Sequence, residues 1–211
     1  QDSPIHFRNF ARMLPMIAPA TSTTTTTVVG GGATKQWSYK TAGVALAPPG
    51  LDPGNKVLAA SNDSKLHSMS AVNGARNYQP GGSLGVTGAS ITSRPTVIAQ
   101  TDTMIVDCDL VTPGNQPCDV AYVASNDGKV YAFNAITGQQ IWTTQVAGVG
   151  GSLQGGVGVQ LWKFSNSTFT STYTTDLVFV GTRETSATAS KVVALNGTTG
   201  AVVWTFNPGN M

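Results

Sequence analysis

The chain has 211 residues, 40% of them hydrophobic and only 10% charged, with a formal net charge of +2. That length buries a sizeable core, as one domain or two. The twelve Lys and Arg are scattered, with no run able to track a phosphate backbone, which sets aside nucleic acid as a partner. No apolar run approaches the ~18 residues that span a bilayer.

Glutamate occurs once, at Glu184, whereas Gly, Ser and Thr abound. Such a chain is poor in helix formers and rich in turn and strand formers, so an all-β fold is expected. Residues 1–34 form a Thr/Gly-rich arm. Its start, "QDSPIHFRNFARMLPMIAPA", has basic residues but no uninterrupted apolar stretch and is not read as a retained signal peptide. Gln1 is compatible with a mature N-terminus. "TSTTTTT" followed by "VVGGG" has linker composition. Two placements are open to it: packing across its own sheets, or adding a strand to a neighbouring sheet.

From residue 35 onward the chain repeats itself. "KVLAASNDSKLHSMSAVNGARNYQP" from Lys56 aligns with "DVAYVASNDGKVYAFNAITGQQIWTTQ" from Asp119 and "DLVFVGTRETSATASKVVALNGTTGAVVWTF" from Asp176. Gly74, Gly138 and Gly200 fall 64 and 62 residues apart, a period typical of arrays and propellers. In the second unit Tyr122 and Val123, then Val130, Tyr131 and Phe133, alternate around "SNDGK". An Asp-Gly pair between alternating runs predicts a hairpin, because the turn needs positive φ. The first unit has Asn62-Asp63-Ser64 there, and the third a longer excursion through Glu184.

"NAITG" or "NGTTG" then makes a second turn, before a strand ending on Trp142 or Trp204. The lead-ins "VALAPPGLD", "TSRPTVIAQ" and "GGVGVQLWKF" each supply a first strand, with prolines 48, 49 and 95 at strand starts or edges. Four antiparallel strands per unit make a β-propeller blade. The blades are expected at about 43–80, 83–146 and 149–208. Trp37 in "TKQWSYKTAG" marks the last strand of a further blade, giving about three and a half and an incomplete ring in one chain.

Cys108 and Cys118 flank Pro113, Gly114 and Asn115, which favour a reversal. A disulfide between them would contribute about 2.5–3 kcal/mol and implies an oxidising compartment. Two free thiols are the alternative.

The residues Ala132-x5-Gly138-x3-Trp142 and Ala194-x5-Gly200-x3-Trp204 resemble the tryptophan-docking motif of PQQ-like, quinoprotein-type β-propeller repeats. The resemblance covers roughly residues 37 to 207. It implies that Trp142 and Trp204 wedge between blades, each stacking on the glycine turn of a neighbour. The first unit departs from the motif with Ser68, Gly74 and Tyr78, so weaker docking is expected there. The resemblance also raises a quinoprotein dehydrogenase holding PQQ and Ca²⁺, but no residue of this chain maps onto a cofactor motif.

Other candidates are set against plainer readings. Asp107, Asp109 and Asp119 offer oxygen ligands for Ca²⁺, yet their spacing matches no calcium loop, and a solvated acidic loop is the default. His6 and His67 are too far apart in sequence for zinc, and His67, aligned with Tyr131, reads as a sheet-surface residue. The glycines of 148–158 lack a phosphate-loop context. Asn62, Asn166 and Asn196 open Asn-x-Ser/Thr triplets. Trp162, Phe169 and Tyr173 would serve a carbohydrate-binding adhesin, or simply be buried.

The function expected is that of a non-enzymatic scaffold or interaction protein, secreted or on the cell surface, with the periplasm as another site. It would bind no cofactor and meet protein partners or further copies that complete the ring. The alternatives are part of a quinoprotein dehydrogenase and an adhesin.

Overall fold

The computed structural model describes residues 35–77, 83–99, 118–161, 175–186 and 189–208. Twelve strands form three four-stranded antiparallel sheets. The first is β1 (Gly50–Asp52), β2 (Lys56–Ala60), β3 (Lys65–Ser70) and β4 (Ser83–Val86). The second is β5 (Thr96–Ile98), β6 (Val120–Ala124), β7 (Lys129–Asn134) and β8 (Gln140–Gln145). The third is β9 (Gly158–Gln160), β10 (Leu177–Gly181), β11 (Val192–Asn196) and β12 (Val202–Phe206). Each sheet is a meander in sequence order, which is a propeller blade.

The strands expected from the three lead-ins are β1, β5 and β9. One assignment shifts. Ser83–Val86, placed by sequence at the start of the second blade, pairs with β3 and completes the first (Leu66 opposite Gly85). The strand that pairs with β3 thus lies several residues beyond the aligned Tyr78, with a register shift between Leu66 and His67 like those between Ala132 and Phe133 and between Ala194 and Leu195 in the other blades. Tyr78 itself lies outside the described residues, as does the N-terminal arm to residue 34.

Turn chemistry explains the repeat. At the second hairpin Gly128 takes φ +81°, and the Asp127 carboxylate accepts the Lys129 N–H at 3.0 Å. Asp63 does the same for Lys65 at 3.1 Å, but the left-handed position there is Ser64, at φ +65°. The second turn of the second and third blades is built by Asn134 and Asn196. Their side-chain oxygens accept N–H groups of Ile136 and Thr137 in one blade (2.8 and 3.0 Å) and Thr198 and Thr199 in the other (2.9 and 3.0 Å). That capping leaves Gly138 and Gly200 at φ +80° and +73°, where a side chain would be strained.

The core lies between blades. Along β6, Val120, Tyr122 and Ala124 pack toward the third blade with Val178, Val180, Val193 and Leu195. The alternate residues Ala121 and Val123 pack toward the first, with Leu58, Leu66 and Leu84. The period of two thus puts every second residue in a different core, and all five residues of β6 are buried. Strand β6 has no solvent-facing side.

Replacing Ser64 with Gly relieves a left-handed residue that carries no glycine. The expected gain is about 0.5–1 kcal/mol, net of the added chain entropy, which raises Tm by about 1–4 °C. A thermal melt of Ser64→Gly against the parent protein measures it.

Candidate functional site

Trp142 sits on β8 opposite Ala132 of β7, and its indole lies against the turn at Gly200. A Cβ at Gly200 would stand 2.7 Å from the ring. The indole N–H donates to the Gly197 carbonyl at 2.8 Å, and Tyr122 donates to the same oxygen at 3.3 Å. Thr144, two residues on, donates to the Gly200 carbonyl at 2.7 Å. A flat apolar group therefore covers the turn while its one polar atom is satisfied by backbone.

The same contact recurs at the other end. Trp37 lies on the turn at Gly74 (φ +70°), where a Cβ would stand 2.6 Å from the ring, and donates to the Ala71 carbonyl at 3.0 Å. The middle junction differs. A Cβ at Gly138 would meet the Leu84 carbonyl at 2.6 Å, so the backbone of β4, not an indole, covers that turn. Phe133 fills the remaining space by lying on Gly85. Trp204, opposite Ala194 and tilted against Phe179 with ring centres 5.8 Å apart, meets no glycine turn among the described residues. Beside it Phe206 is 58% exposed and Val192 37% exposed.

A second set of contacts joins the blades at the hairpin end. Asp63 accepts the Ala42 N–H at 3.3 Å, Asp127 the Gly88 N–H at 3.0 Å, and Glu184 the Gly148 N–H at 2.9 Å. Each acid sits on a hairpin and holds the segment arriving from the preceding strand. Sequence reading singled out Glu184 as the lone glutamate but missed this role. Asp63 and Asp127 fall 64 apart, the repeat spacing, which is the signal that would have found them.

His67 is not a sheet-surface residue. It is 3% exposed, because Tyr39, 28 residues earlier, covers it. Its Nε2 meets the Asp63 carboxylate at 2.9 Å and its Nδ1 the Tyr39 hydroxyl at 3.1 Å. Arg76 lies over the Tyr39 ring at 5.4 Å. Burial pushes the Asp63 carboxyl up, but hydrogen bonding and charge from His67 outweigh it and hold the group below the usual aspartate value. In the second blade Tyr131 replaces His67 and donates to Asp127 at 2.5 Å. Burial first, and that acceptor second, push the Tyr131 hydroxyl up to about 12.

The innermost strands β1 and β5 border a cleft of ≈ 400 Å³ lined by Gly50, Leu51, Arg94, Pro95 and Val97, among others. Arg94 is the one charged side chain in that lining, which contains no carboxylate. No group of three metal-binding side chains exists among the described residues. Asp119 is buried at the start of β6, while Asp107 and Asp109 lie outside the described residues. So do Cys108, His6, Asn166, Trp162, Phe169 and Tyr173. Cys118, buried at 1% exposure, belongs to the core between the second and third blades. Asn62 is exposed on its hairpin, and Asn196 is engaged in its turn. No helix among the described residues is long and apolar enough to cross a membrane.

Repeated four-stranded sheets docked through Trp on glycine turns define a β-propeller repeat protein. The family model described as outer membrane protein assembly factor BamB, built of PQQ-like repeats, matches residues 23–155, and the chain belongs to that family. No curated protein matches it. Among solved structures it is similar to BamB from Moraxella catarrhalis (17% identity, TM-score 0.49), covering 82% of this chain and 39% of that one. A europium-containing methanol dehydrogenase is similar at 19% identity and TM-score 0.47, over 81% of this chain and 26% of that one. The computationally designed Ika4 protein is similar at 14% identity and TM-score 0.45, over 84% and 81%. The chain therefore spans well under half the length of the two natural structures.

Gly200→Ala, which meets both the Trp142 ring and a left-handed backbone, loses about 2–4 kcal/mol in urea unfolding. Gly155→Ala, with nothing within 4 Å, stays near the parent. In an ultraviolet titration Tyr131 resists ionisation until about pH 12, and Tyr131→Phe removes that step.

Proposed function

We propose that the chain is a non-enzymatic scaffold, a protein-binding module of a secreted or cell-envelope assembly, whose ring is completed by blades beyond those described. One observation carries this reading. The third blade ends on an uncovered apolar face, with Trp204 in docking position beside exposed Phe206 and Val192. Sheet faces of this kind are covered in a working protein, because contiguous exposed apolar surface marks an interaction site. At the opposite end Trp37 sits on the first blade as the last strand of a further blade would. A rigid stack with two such ends suits presentation of a broad surface to other proteins. The membership of the BamB-described family agrees with a propeller that works by binding. A Cys108–Cys118 disulfide is part of the proposal and accords with an oxidising compartment.

The test is native mass spectrometry on protein isolated from its source. The reading predicts several copies or a second polypeptide, no quinone-sized adduct, and a chain two hydrogens lighter than its reduced form. A lone monomer carrying a quinone, with calcium-dependent dye reduction by alcohols, would return the dehydrogenase reading instead.

A further inference from the structure

We propose that Lys56 and Asp52 join through an isopeptide bond, an amide between Nζ of the lysine and Cγ of the aspartate. The inference is independent of the scaffold reading. The turn between β1 and β2 sets the two residues directly opposite each other across the loop Pro53-Gly54-Asn55, with Asn55 in the left-handed region at φ +59°. Directly opposed residues of an antiparallel pair project from one face, about 4.5–5.5 Å apart at Cβ. The Asp52 side chain is wholly buried there, and the Lys56 side chain is 21% exposed. Water is kept from the carboxyl group, so an ion pair is costly and an amide is sheltered from hydrolysis.

The two carboxyl oxygens of Asp52 are held differently. Oδ1 accepts the Gly54 N–H at 2.6 Å. Oδ2 is buried with no hydrogen-bond partner and lies 3.8 Å from the Lys56 ammonium. That ammonium donates instead to the Ala135 carbonyl of the second blade, at 3.1 Å. As an ion pair the arrangement leaves a buried carboxylate oxygen unsatisfied, at a cost in free energy. As an amide it leaves nothing unsatisfied. Oδ2 is the oxygen that departs, the remaining carbonyl keeps the Gly54 N–H, and the amide N–H keeps the Ala135 carbonyl. The Gly54 N–H also polarises that carbonyl toward attack, as an oxyanion donor does. Burial pushes the Asp52 carboxyl up, Gly54 and Lys56 draw it partly back, and the charge of the buried Asp119 adds to the rise. The net effect favours the protonated acid, the form that loses water.

The step balances without a co-reactant. One proton passes from the Lys56 ammonium to the Asp52 carboxylate, giving a neutral amine and a neutral acid. The Nζ lone pair attacks Cγ, the Nζ–Cγ bond forms, and the Cγ–Oδ2 bond breaks. Oδ2 leaves as water with that proton and a second one from Nζ. Glu184 and Lys191 make a similar pair, with Oε1 buried and unpartnered 3.9 Å from the ammonium. There no carbonyl among the described residues fixes the amine, so that pair stays ionic. The amide holds Lys56 on Ala135 at the junction between the first and second blades, where no indole covers the turn.

High-resolution mass spectrometry of the whole folded chain, reduced before measurement, followed by a tryptic map, is the test. Trypsin should fail to cut after Lys56, so residues 41–65 appear as a single peptide lighter by one water. The peptides that hold Glu184 and Lys191 should keep their full mass. Lys56→Arg retains the ion pair but cannot form this amide, and its residues 41–56 should have the full calculated mass. A parent chain that yields residues 41–56 at full mass overturns the inference, whether or not Lys56→Arg folds. A loss of water in the stretch 41–65 that persists in Lys56→Arg overturns it too, because a succinimide at Asp63 would then account for it. Cyclisation of Gln1 loses ammonia, not water, and falls in a different peptide. The scaffold reading stands under either result.

Discussion

The structure depends on one contact: an indole laid on a left-handed glycine turn, with its N–H given to a carbonyl three residues before that glycine. Trp142 makes it to Gly200 and Gly197, and Trp37 to Gly74 and Ala71. Neither partner works without the other. Any Cβ on the glycine would lie within 3 Å of the ring, and without the ring the turn and the sheet behind it would be exposed to water. Because the contact runs from one blade to the next, stability is carried by neighbours. The middle blade, with neighbours on both faces, is the most deeply buried element.

The junction between the first and second blades is made by other means. Leu84 backbone covers Gly138, and Phe133 settles on Gly85, so a glycine in the strand replaces a tryptophan on it. The acids at the hairpin end supply a second, polar tie that does recur at each junction. Asp63, Asp127 and Glu184 each accept an N–H from the incoming segment. In the third case the other Glu184 oxygen is buried with no hydrogen-bond partner, 3.9 Å from the Lys191 ammonium. The longer hairpin there needs the longer acid to reach the same segment.

Much of the fold is legible in the sequence because its signals are local. Asp-Gly demands a positive φ at Gly128, Asn134 and Asn196 cap the turns that follow, and alternation around them names the strands. What was not legible depends on residues far apart. His67 breaks the apolar alternation and so reads as solvent-facing, but Tyr39 lies over it. The acid ties end on backbone N–H groups, which leave no mark in residue type. The last strand of the first blade is short, contains a glycine and lacks a tryptophan, so it was assigned to the next blade. The docking motif was visible, but which turn each tryptophan meets required the sheets to be placed.

The central claim is that an indole laid on a glycine turn joins one blade to the next, Trp142 of β8 to the turn at Gly200 in the third blade. Amide hydrogen exchange of Trp142→Ala against the parent protein tests it most directly. The account predicts that the substitution speeds exchange in β10 and β11 of the third blade as well as in β8. Exchange quickened in β8 alone would contradict it.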